Sequence, residues 1–323
     1  MDIFICTDCN YVMPSSVMMK SLSINNIDNE ITFHVLVDKN VNPIHEDEME
    51  AVIQYNPKHH VRFYEMNSVL NSFPQVGKVK KYLSRAAYFR LFVTDVIPDS
   101  VHKILYLDGD IIVRKSLTQL FNIDISNYAA GVIPDMAESK QDYKRLGYDK
   151  EYGYFNSGVL LINVDYWREH RLKDAYLDII ENHPEKILLH DQDVLNIVLY
   201  KQKYILPLTY NMQNGFFWKP EYTELGDKFL VYKKDLINAI SDPVIVHYTD
   251  QKKPWHYEDC NPYGYEFMKY KKQTAWRYLP MTHCYKNRYR HFVAKVLRMF
   301  HLIPPTNTQE YLYLPLEKII SKE

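Results

Sequence analysis

The sequence predicts an α/β fold in which a mostly parallel, doubly wound central sheet is flanked by helices. Short apolar, β-prone segments recur along the amino-terminal part, at residues 3–6, 31–37 and 61–64, and stretches of helical character separate them. Because parallel strands need a connection long enough to hold a helix, this alternation predicts parallel pairing. A chain of 323 residues with 46% hydrophobic content can bury a sizeable core.

The first strand covers residues 3–6 and ends in the polar segment 7–10. We expect a helix next, capped by Ser15 or Ser16 and with an apolar face that includes Val17. Ligands of such sheets bind beyond the carboxyl ends of the strands, so the first polar loop is a candidate site. The elements predicted after it are strands at 31–37, 61–64, 103–107, 111–113, 158–162 and 244–248, and helices around 47–52 and 191–199.

The charge of the chain is unevenly distributed. Its formal net charge is −1, yet residues 267–309 contain nine Lys or Arg residues and no Asp or Glu. We therefore divide the sequence into a main domain, residues 1–256, and a basic, aromatic-rich carboxyl-terminal extension, residues 257–323.

The sequence lacks the features of exported and membrane-spanning proteins. No basic segment followed by a long apolar run opens the chain, and no apolar run approaches about 18 residues. The 4 cysteines are too few for a disulfide framework. Cys6 and Cys9 have the spacing of a redox pair, but we interpret Cys6 as a core residue and Cys9 as incidental. We expect a cytoplasmic protein.

Asp108-Gly109-Asp110 is the strongest chemical signal in the sequence. These residues end one apolar strand and precede another. Two carboxylates one residue apart can jointly bind a hard divalent cation, which bridges them to a diphosphate that they would otherwise repel. The alternative is a solvated turn that uses Asp and Gly for their turn geometry. The apolar flanks favour the metal site.

His247 ends another predicted strand, and Lys253 follows it closely. The imidazole could complete a metal site, and the lysine could neutralise a diphosphate. A histidine at the edge of a sheet is, however, more often a structural hydrogen-bonding residue, so the interpretation depends on what surrounds His247.

Two further polar segments allow more than one interpretation. Asp8, Asn10 and Tyr11 could pair with the edge of a uracil and stack on its ring, but an ordinary Asx turn is equally consistent with them. Segment 191–193, Asp-Gln-Asp, opens a predicted helix. Its carboxylates could cap the helix and complement its dipole, or they could bind sugar hydroxyls and stabilise positive charge at an anomeric carbon.

Taken in order, these segments resemble glycosyltransferase family 8, and in particular the bacterial galactosyl- and glucosyltransferases of lipopolysaccharide synthesis. The resemblance extends from Asp2 to about His256. Each motif alone is weak, but the ordered set is specific. The motifs are Asp8-Cys9-Asn10-Tyr11, the segment 85–90, Tyr106-Leu107-Asp108-Gly109-Asp110, Phe155-Asn156-Ser157-Gly158-Val159-Leu160-Leu161, His190-Asp191-Gln192-Asp193, and His247-Tyr248 with Lys253-Pro254-Trp255-His256.

The resemblance implies a GT-A fold, in which a smaller mixed sheet accompanies a Rossmann-like sheet. It also implies a retaining transfer of galactose or glucose from a UDP-hexose to an oligosaccharide or lipid-linked saccharide, with Mn²⁺ or Mg²⁺, in the synthesis of lipopolysaccharide or another surface glycan. No nucleic-acid partner is implied. The residues implied are Asp108, Asp110 and His247 for the metal; Thr7, Asp8, Asn10, Tyr11, Arg90, Asp108, Gly109, Asn156, Asp191, Gln192 and Lys253 for the donor; and Gln192, Asp191, Asp193 and Asn156 for catalysis.

Two residues depart from the family pattern. Asp250 stands where relatives often have Gly beside the diphosphate, which adds negative charge there. Gly109 is smaller than the branched residue of some relatives, so a ribose contact there would use only the backbone.

Two other functions remain open at this point. One is a nucleotide-sugar-binding or glycan-binding protein that keeps the fold without turnover. The other is a metal-dependent phosphohydrolase with Asp108 as its nucleophile, although such enzymes generally place this residue after the first strand.

The basic extension predicts an amphipathic helix over residues 288–303, with Phe292, Val296 and Phe300 on one face. Such a helix suits the surface of an anionic membrane and indicates peripheral attachment to the inner face of the cytoplasmic membrane. The alternative is a helix that packs on the main domain with its basic face in solvent.

Overall fold

A computed structural model describes residues 1–66, 86–138, 141–217, 228–259 and 261–284, together with positions 293, 296, 297, 299 and 300. Within these residues the strands are β1 Asp2–Thr7, β2 Ile31–Val37, β3 His59–Glu65, β4 Lys103–Leu107, β5 Ile111–Val113, β6 Ala130–Pro134, β7 Phe155–Asn163, β8 Lys203–Ile205, β9 Met212–Gln213 and β10 Ile245–His247. The α-helices are α1 Val12–Asn25, α2 Pro43–Ala51, α3 Val93–Val96, α4 Thr118–Phe121, α5 Tyr143–Leu146, α6 Val164–Glu169, α7 Leu172–Asn182, α8 His190–Leu199, α9 Lys228–Ser241 and α10 Gly264–Lys271.

The described strands form a seven-stranded sheet in the order β3-β2-β1-β4-β7-β6-β8 and a three-stranded sheet in the order β5-β10-β9. In the large sheet, β3, β2, β1 and β4 are parallel, β7 is antiparallel to both of its neighbours, and β8 is parallel to β6. The small sheet is mixed. The predicted fold class is therefore confirmed, including its smaller mixed sheet.

Both faces of the large sheet are buried. Ile3 and Ile5 of β1 belong to one apolar cluster, whereas Phe4 and Cys6 belong to another on the opposite face. This alternation follows from the two-residue period of a strand. Because both faces are covered, the central strands read as nearly continuous apolar runs, which is the pattern that identified them in the sequence.

The predicted start of the first helix is wrong. Helix α1 begins at Val12, and Ser15 and Ser16 are fully buried inside it. The Asp8 carboxylate accepts hydrogen bonds from the backbone N–H groups of Asn10 and Tyr11, and this turn starts the helix one turn earlier. The serine hydroxyls bond to the backbone of Val12 and to the side chain of Thr7.

The helix predicted at 191–199 exists as α8, but Asp191 is not its cap. The helix begins at His190, and Leu189, at the cap position, makes no side-chain capping bond. The predicted strands are all present. The short strands β6, β8 and β9 were not predicted. Strands β8 and β9 have only 3 and 2 residues, with a 3-10 helix between them, so they show no regular apolar pattern.

The start of the carboxyl-terminal extension packs into the same core as the main domain. Tyr263, Phe267 and Tyr270 are buried there, and the Tyr248 hydroxyl donates a hydrogen bond to the carbonyl of Tyr263. The predicted boundary after residue 256 stays a prediction. The predicted helix over 288–303 lies almost entirely outside the described residues. None of the helices in the described part of the chain combines the length and apolar character needed to cross a membrane.

Candidate functional site

The loop after β4 is held between strand β7 and the end of strand β10. The backbone N–H of Asp108 donates to the carbonyl of Gly158 in β7, at 2.9 Å. On the other side, His247 of β10 pairs with Ile111 of β5, and the N–H of Tyr248 donates to the carbonyl of Asp110 at 3.0 Å. Sheet register therefore brings residue 247 beside residues 108–110, although they are far apart in sequence.

The side chains of Asp108, Asp110 and His247 converge, as predicted. One potential ligand atom from each lies within 4.8 Å of the others. The His247 Nε2 atom is 3.3 Å from Asp110 Oδ1 and 3.6 Å from Asp108 Oδ2. His247 Nδ1 is 2.9 Å from Asn211 Oδ1, and this contact orients the ring so that Nε2 faces the carboxylates. Two carboxylate oxygens and one imidazole nitrogen suit a divalent cation such as Mn²⁺.

Gly158 provides the space that this cluster occupies. A Cβ atom on Gly158 would lie 2.7 Å from Asp108 Oδ2 and 2.8 Å from His247 Nδ1, and it would also overlap His247 Cε1. Real Cβ atoms essentially never approach other atoms that closely. A glycine is therefore required here, and the donor set fits the cation that the resemblance implies.

Lys253 reaches the same cluster. Its ammonium group donates to Asp110 Oδ2 at 2.7 Å and also to the carbonyl of Tyr248. Burial alone would raise the pKa of Asp110, but Lys253 and His247 outweigh this effect and hold the pKa below its ordinary value. Asp110 is therefore ionised and ready to bind a cation at neutral pH.

Arg90 joins two carboxylates behind the metal cluster. It lies in a 3-10 helix, Ala86–Phe92, and is almost completely buried. Its guanidinium is 2.9 Å from Asp108 Oδ1 and 3.0 Å from Asp191 Oδ2, and it also donates to the carbonyl of Ser157 at 2.7 Å. Burial raises the pKa of Asp191 to about 6, although Arg90 acts in the opposite direction. Arg90 thus connects the metal cluster to the start of α8.

A hydrogen-bonded group of polar side chains lies next to Arg90. Gln192 Nε2 donates to Asp135 Oδ2 at 3.1 Å, and Asn156 Nδ2 donates to the same oxygen at 3.2 Å. Asn156 also accepts a bond from Asn211 Nδ2 at 2.9 Å, so the group is continuous with His247. Burial raises the pKa of Asp135. These buried donors and acceptors can orient a polyhydroxylated ligand.

Asp193 occupies a different environment from Asp191 and Gln192. Its carboxylate is fully buried and accepts hydrogen bonds from the Arg145 guanidinium, the Tyr154 hydroxyl and the backbone N–H groups of Leu188 and Leu189. These bonds anchor the start of α8, where His190, its first residue, has a φ of 53°. The geometry favours an anchoring role for Asp193 over contact with a reacting group.

The predicted nucleotide loop lies on the other side of the metal cluster. A Cβ atom on Gly109 would lie 3.4 Å from Cδ1 of Tyr11, so the Tyr11 ring lies beside the metal loop. Burial and the nearby carboxylates of Asp110 and Asp108 raise the pKa of Tyr11. Its ring is 6.2 Å from that of Trp255. A Cβ atom on Gly109 would collide with the Ser15 hydroxyl, so the glycine allows α1 to approach the metal loop. Thr7 is buried, and Asn10 is exposed.

One carboxylate oxygen of Asp8 accepts the backbone hydrogen bonds of the turn described above, so the interpretation of Asp8 as a turn residue holds for that oxygen. Cys6 is a core residue and Cys9 is exposed, in agreement with their interpretation. Asp250 is partly exposed. Arg85, from the motif at 85–90, lies outside the described residues.

Several residues that build this site were not predicted from the sequence. Asn211 orients the His247 ring, Asp135 joins Gln192 to Asn156, and Arg145 binds Asp193. None of them belongs to a recognisable motif. A buried strand end after 134 and the motif at 155–161 were the signals that could have drawn attention to Asp135 and Gly158.

Comparison with known proteins identifies the family. The profile described as Glycosyl transferase family 8 matches residues 2–259. The chain is 27% identical to general stress protein A of Bacillus subtilis over 85% of this chain and 94% of that protein. It is 29% identical to a lipopolysaccharide 1,2-glucosyltransferase of Escherichia coli over 88% of this chain and 84% of that enzyme.

A solved glycosyltransferase structure is also similar to this chain. The crystal structure of the galactosyltransferase LgtC in complex with donor and acceptor sugar analogs has a TM-score of 0.71 to this chain at 26% identity, and the match covers 85% of this chain and 96% of that one. The resemblance inferred from the ordered motifs is confirmed.

Proposed function

The chain belongs to glycosyl transferase family 8, and from this we propose that it is a retaining hexosyltransferase that transfers galactose or glucose from a UDP-sugar to a saccharide acceptor. Relatives that include a lipopolysaccharide 1,2-glucosyltransferase and a lipopolysaccharide 1,3-galactosyltransferase support a role in lipopolysaccharide or other surface-glycan synthesis. The observation that carries the proposal is the convergence of Asp108, Asp110 and His247 beside the ammonium group of Lys253.

Asp108, Asp110 and His247 would hold the cation, which we propose to be Mn²⁺ or, in its place, Mg²⁺. When bound, such an ion supplies positive charge that stabilises a departing diphosphate. Lys253 adds a second positive charge at the same position. The loop that contains Asp8, Asn10 and Tyr11 would bind the uridine. Thr7 and Gly109 would line the base of this uridine site.

On the sugar side, Arg90, Asn156, Asp191 and Gln192 would contact the hexose. Loss of the diphosphate leaves positive charge at the anomeric carbon, and the oxygen of Gln192 and the carboxylate of Asp191 can stabilise it. Arg90 keeps Asp191 in position by an ion pair at 3.0 Å. In a front-face reaction, the departing phosphate takes the proton of the acceptor hydroxyl, so retention does not need a protein nucleophile. We place Asp193 outside this group because its carboxylate is saturated by Arg145, Tyr154 and two backbone groups.

The direct test is turnover of a UDP-hexose. With Mn²⁺ present, the native protein should release UDP from UDP-galactose or UDP-glucose. Asp110→Ala should lower this rate by about 100-fold or more, because it removes charge that stabilises the transition state, and it should weaken donor binding. Asp178→Ala, which removes an exposed carboxylate of α7, is the matched control and should behave as the native protein does.

Two outcomes would contradict the proposal. Donor binding without any UDP release would indicate a binding protein rather than a transferase. A phosphoenzyme trapped on Asp108 would indicate a phosphohydrolase.

We also propose that the enzyme works at the cytoplasmic face of a membrane, where its basic extension binds anionic lipid beside a lipid-linked acceptor. Exposed aromatic residues of the extension support this proposal, because Tyr278 and Tyr265 have exposed fractions of 84% and 64%.

Replacement of four basic residues of the extension by Gln should weaken binding to vesicles that contain anionic lipid by at least about tenfold, since each charge near the surface contributes about 1 kcal/mol. Co-sedimentation with vesicles measures this binding. The variant replaces Arg288, Arg290, Lys295 and Arg298. A control with the same change in net charge replaces the exposed Lys39, Lys58, Lys144 and Lys201. Equal binding by both variants would remove the membrane proposal.

A further inference from the structure

Residues 282–284 are bound to the loop that carries Lys253, and we call these three residues the strap. The backbone N–H of Thr282 donates to the carbonyl of Trp255 at 3.0 Å, and the N–H of Tyr257 donates to the carbonyl of Thr282 at 2.9 Å. This pair forms a short parallel bridge between the strap and the loop. The strap lies beyond residue 259, where the family match ends.

Side chains add further bonds between the strap and the loop. The carboxylate of Glu258 is 2.8 Å from His283 Nδ1 and accepts the backbone N–H of Cys284 at 3.0 Å. The Cys284 thiol donates to the carbonyl of Gln251 at 3.3 Å. The strap therefore contacts the loop on both sides of Lys253, at residue 251 and at residues 255–258.

Lys253 depends on this loop for its position. Its backbone N–H donates to His256 Nδ1 at 3.1 Å, and the N–H of His256 donates back to the carbonyl of Lys253 at 2.8 Å. These bonds close a local turn, but they do not fix the turn relative to the sheet. Such a loop, outside regular secondary structure, gains its order from the groups that bind it.

We propose that the strap and Glu258 position Lys253 for the diphosphate, so that the catalytic unit extends to Cys284. This inference rests on the proposed function, because it assigns Lys253 to the leaving group. Glu258, Thr282 and His283 are positioning residues that act through Lys253. With the strap in place, the lysine ammonium lies 2.7 Å from Asp110 Oδ2, at the edge of the metal cluster. Without it, Trp255, which packs against Phe267, would still hold the loop to the core, but the flexible four-carbon side chain of Lys253 would be less firmly placed.

The test compares binding of UDP with binding of uridine in the full-length protein, by calorimetry with Mn²⁺ present. Glu258→Ala removes the acceptor of two of the strap's bonds, those with His283 and with the backbone of Cys284, and His283→Ala removes the first of these two. Both should weaken UDP binding, by about tenfold for Glu258→Ala, because the loss of charge-assisted hydrogen bonds displaces the lysine. Uridine lacks the diphosphate, so its affinity should stay unchanged. A general loss of structure would weaken both ligands.

Glu185→Ala is the matched control, since Glu185 forms an exposed contact with His183 at 3.5 Å, outside the strap. It should bind UDP as the native protein does. If Glu258→Ala does not fold, the UDP affinity of His283→Ala decides the test, because the His283 side chain is partly exposed. Native UDP affinity in the strap variants, or an equal loss for uridine, would overturn the inference. Failure of the native protein to bind UDP at all would instead contradict the proposed function.

Discussion

Replacement of Gly158 by alanine is expected to abolish metal binding and to lower hexosyl transfer by roughly a thousandfold, the magnitude found when a transition-state-stabilising group is removed from an active site. The new Cβ atom would stand within 2.8 Å of Asp108 Oδ2 and His247 Nδ1. Neither side chain can move aside freely, because Asp108 is bound to Arg90 and His247 to Asn211. The added methyl group therefore displaces at least one metal ligand.

Titration of the protein with Mn²⁺ in a calorimeter, alongside measurements of UDP release, checks this expectation. Gly131→Ala in the neighbouring strand β6 is the control. Its Cβ atom would meet only the side chain of Leu206, at 3.1–3.3 Å, so this variant should bind Mn²⁺ normally even if it is somewhat less stable. Normal Mn²⁺ affinity in Gly158→Ala would show that the cation does not bind where His247 and the aspartates converge.

The second large effect is expected for Asp193→Ala, which should lower the free energy of unfolding by about 3–5 kcal/mol, the usual result when one partner of a buried ion pair is removed. Arg145 would lose its carboxylate, and the Tyr154 hydroxyl and two backbone N–H groups would lose their acceptor. The turn that holds His190 at a positive φ would also lose its anchor. Turnover should fall as a consequence.

Urea unfolding of the variant and of Asp174→Ala separates anchoring from catalysis. Asp174 forms an ion pair with Arg171 at 2.7 Å, but both side chains are exposed, so its replacement should change stability by less than about 1 kcal/mol. If Asp193→Ala kept the native stability but lost turnover, we would conclude that Asp193 takes part in the chemistry.

Much of the fold could be predicted because the central strands are buried on both faces and so form uninterrupted apolar runs. The convergence of Asp108, Asp110 and His247 could be predicted for a related reason. Asp108 and Asp110 stand directly after such a run, and His247 ends another. The start of α1 was misplaced because Ser15 and Ser16 are typical capping residues, whereas the local turn made by Asp8 begins the helix earlier.

The remainder of the site depends on contacts between residues that are distant in sequence. Asn211 meets His247 only because β9 lies parallel to β10, and Arg145 meets Asp193 across 48 residues. Gly158 meets Asp108 and His247 because β7 pairs with β4, and the loop after β4 lies beside the end of β10. No periodicity in a single sequence reports such a pairing. The contact between the strap and the loop that carries Lys253 could not be predicted for the same reason, because no motif connects these residues.

The bond between Lys253 and Asp110 has a consequence for the order in which ligands arrive. Without ligands, the positive charge of the lysine already offsets one carboxylate, so a divalent ion that comes alone is attracted less strongly. A nucleotide gives the lysine an alternative anion and thereby increases the affinity for the ion, and by reciprocity the ion increases the affinity for the nucleotide by the same factor. If Asp108, Asp110 and His247 hold a divalent ion as proposed, binding of the ion and binding of the nucleotide would therefore strengthen each other.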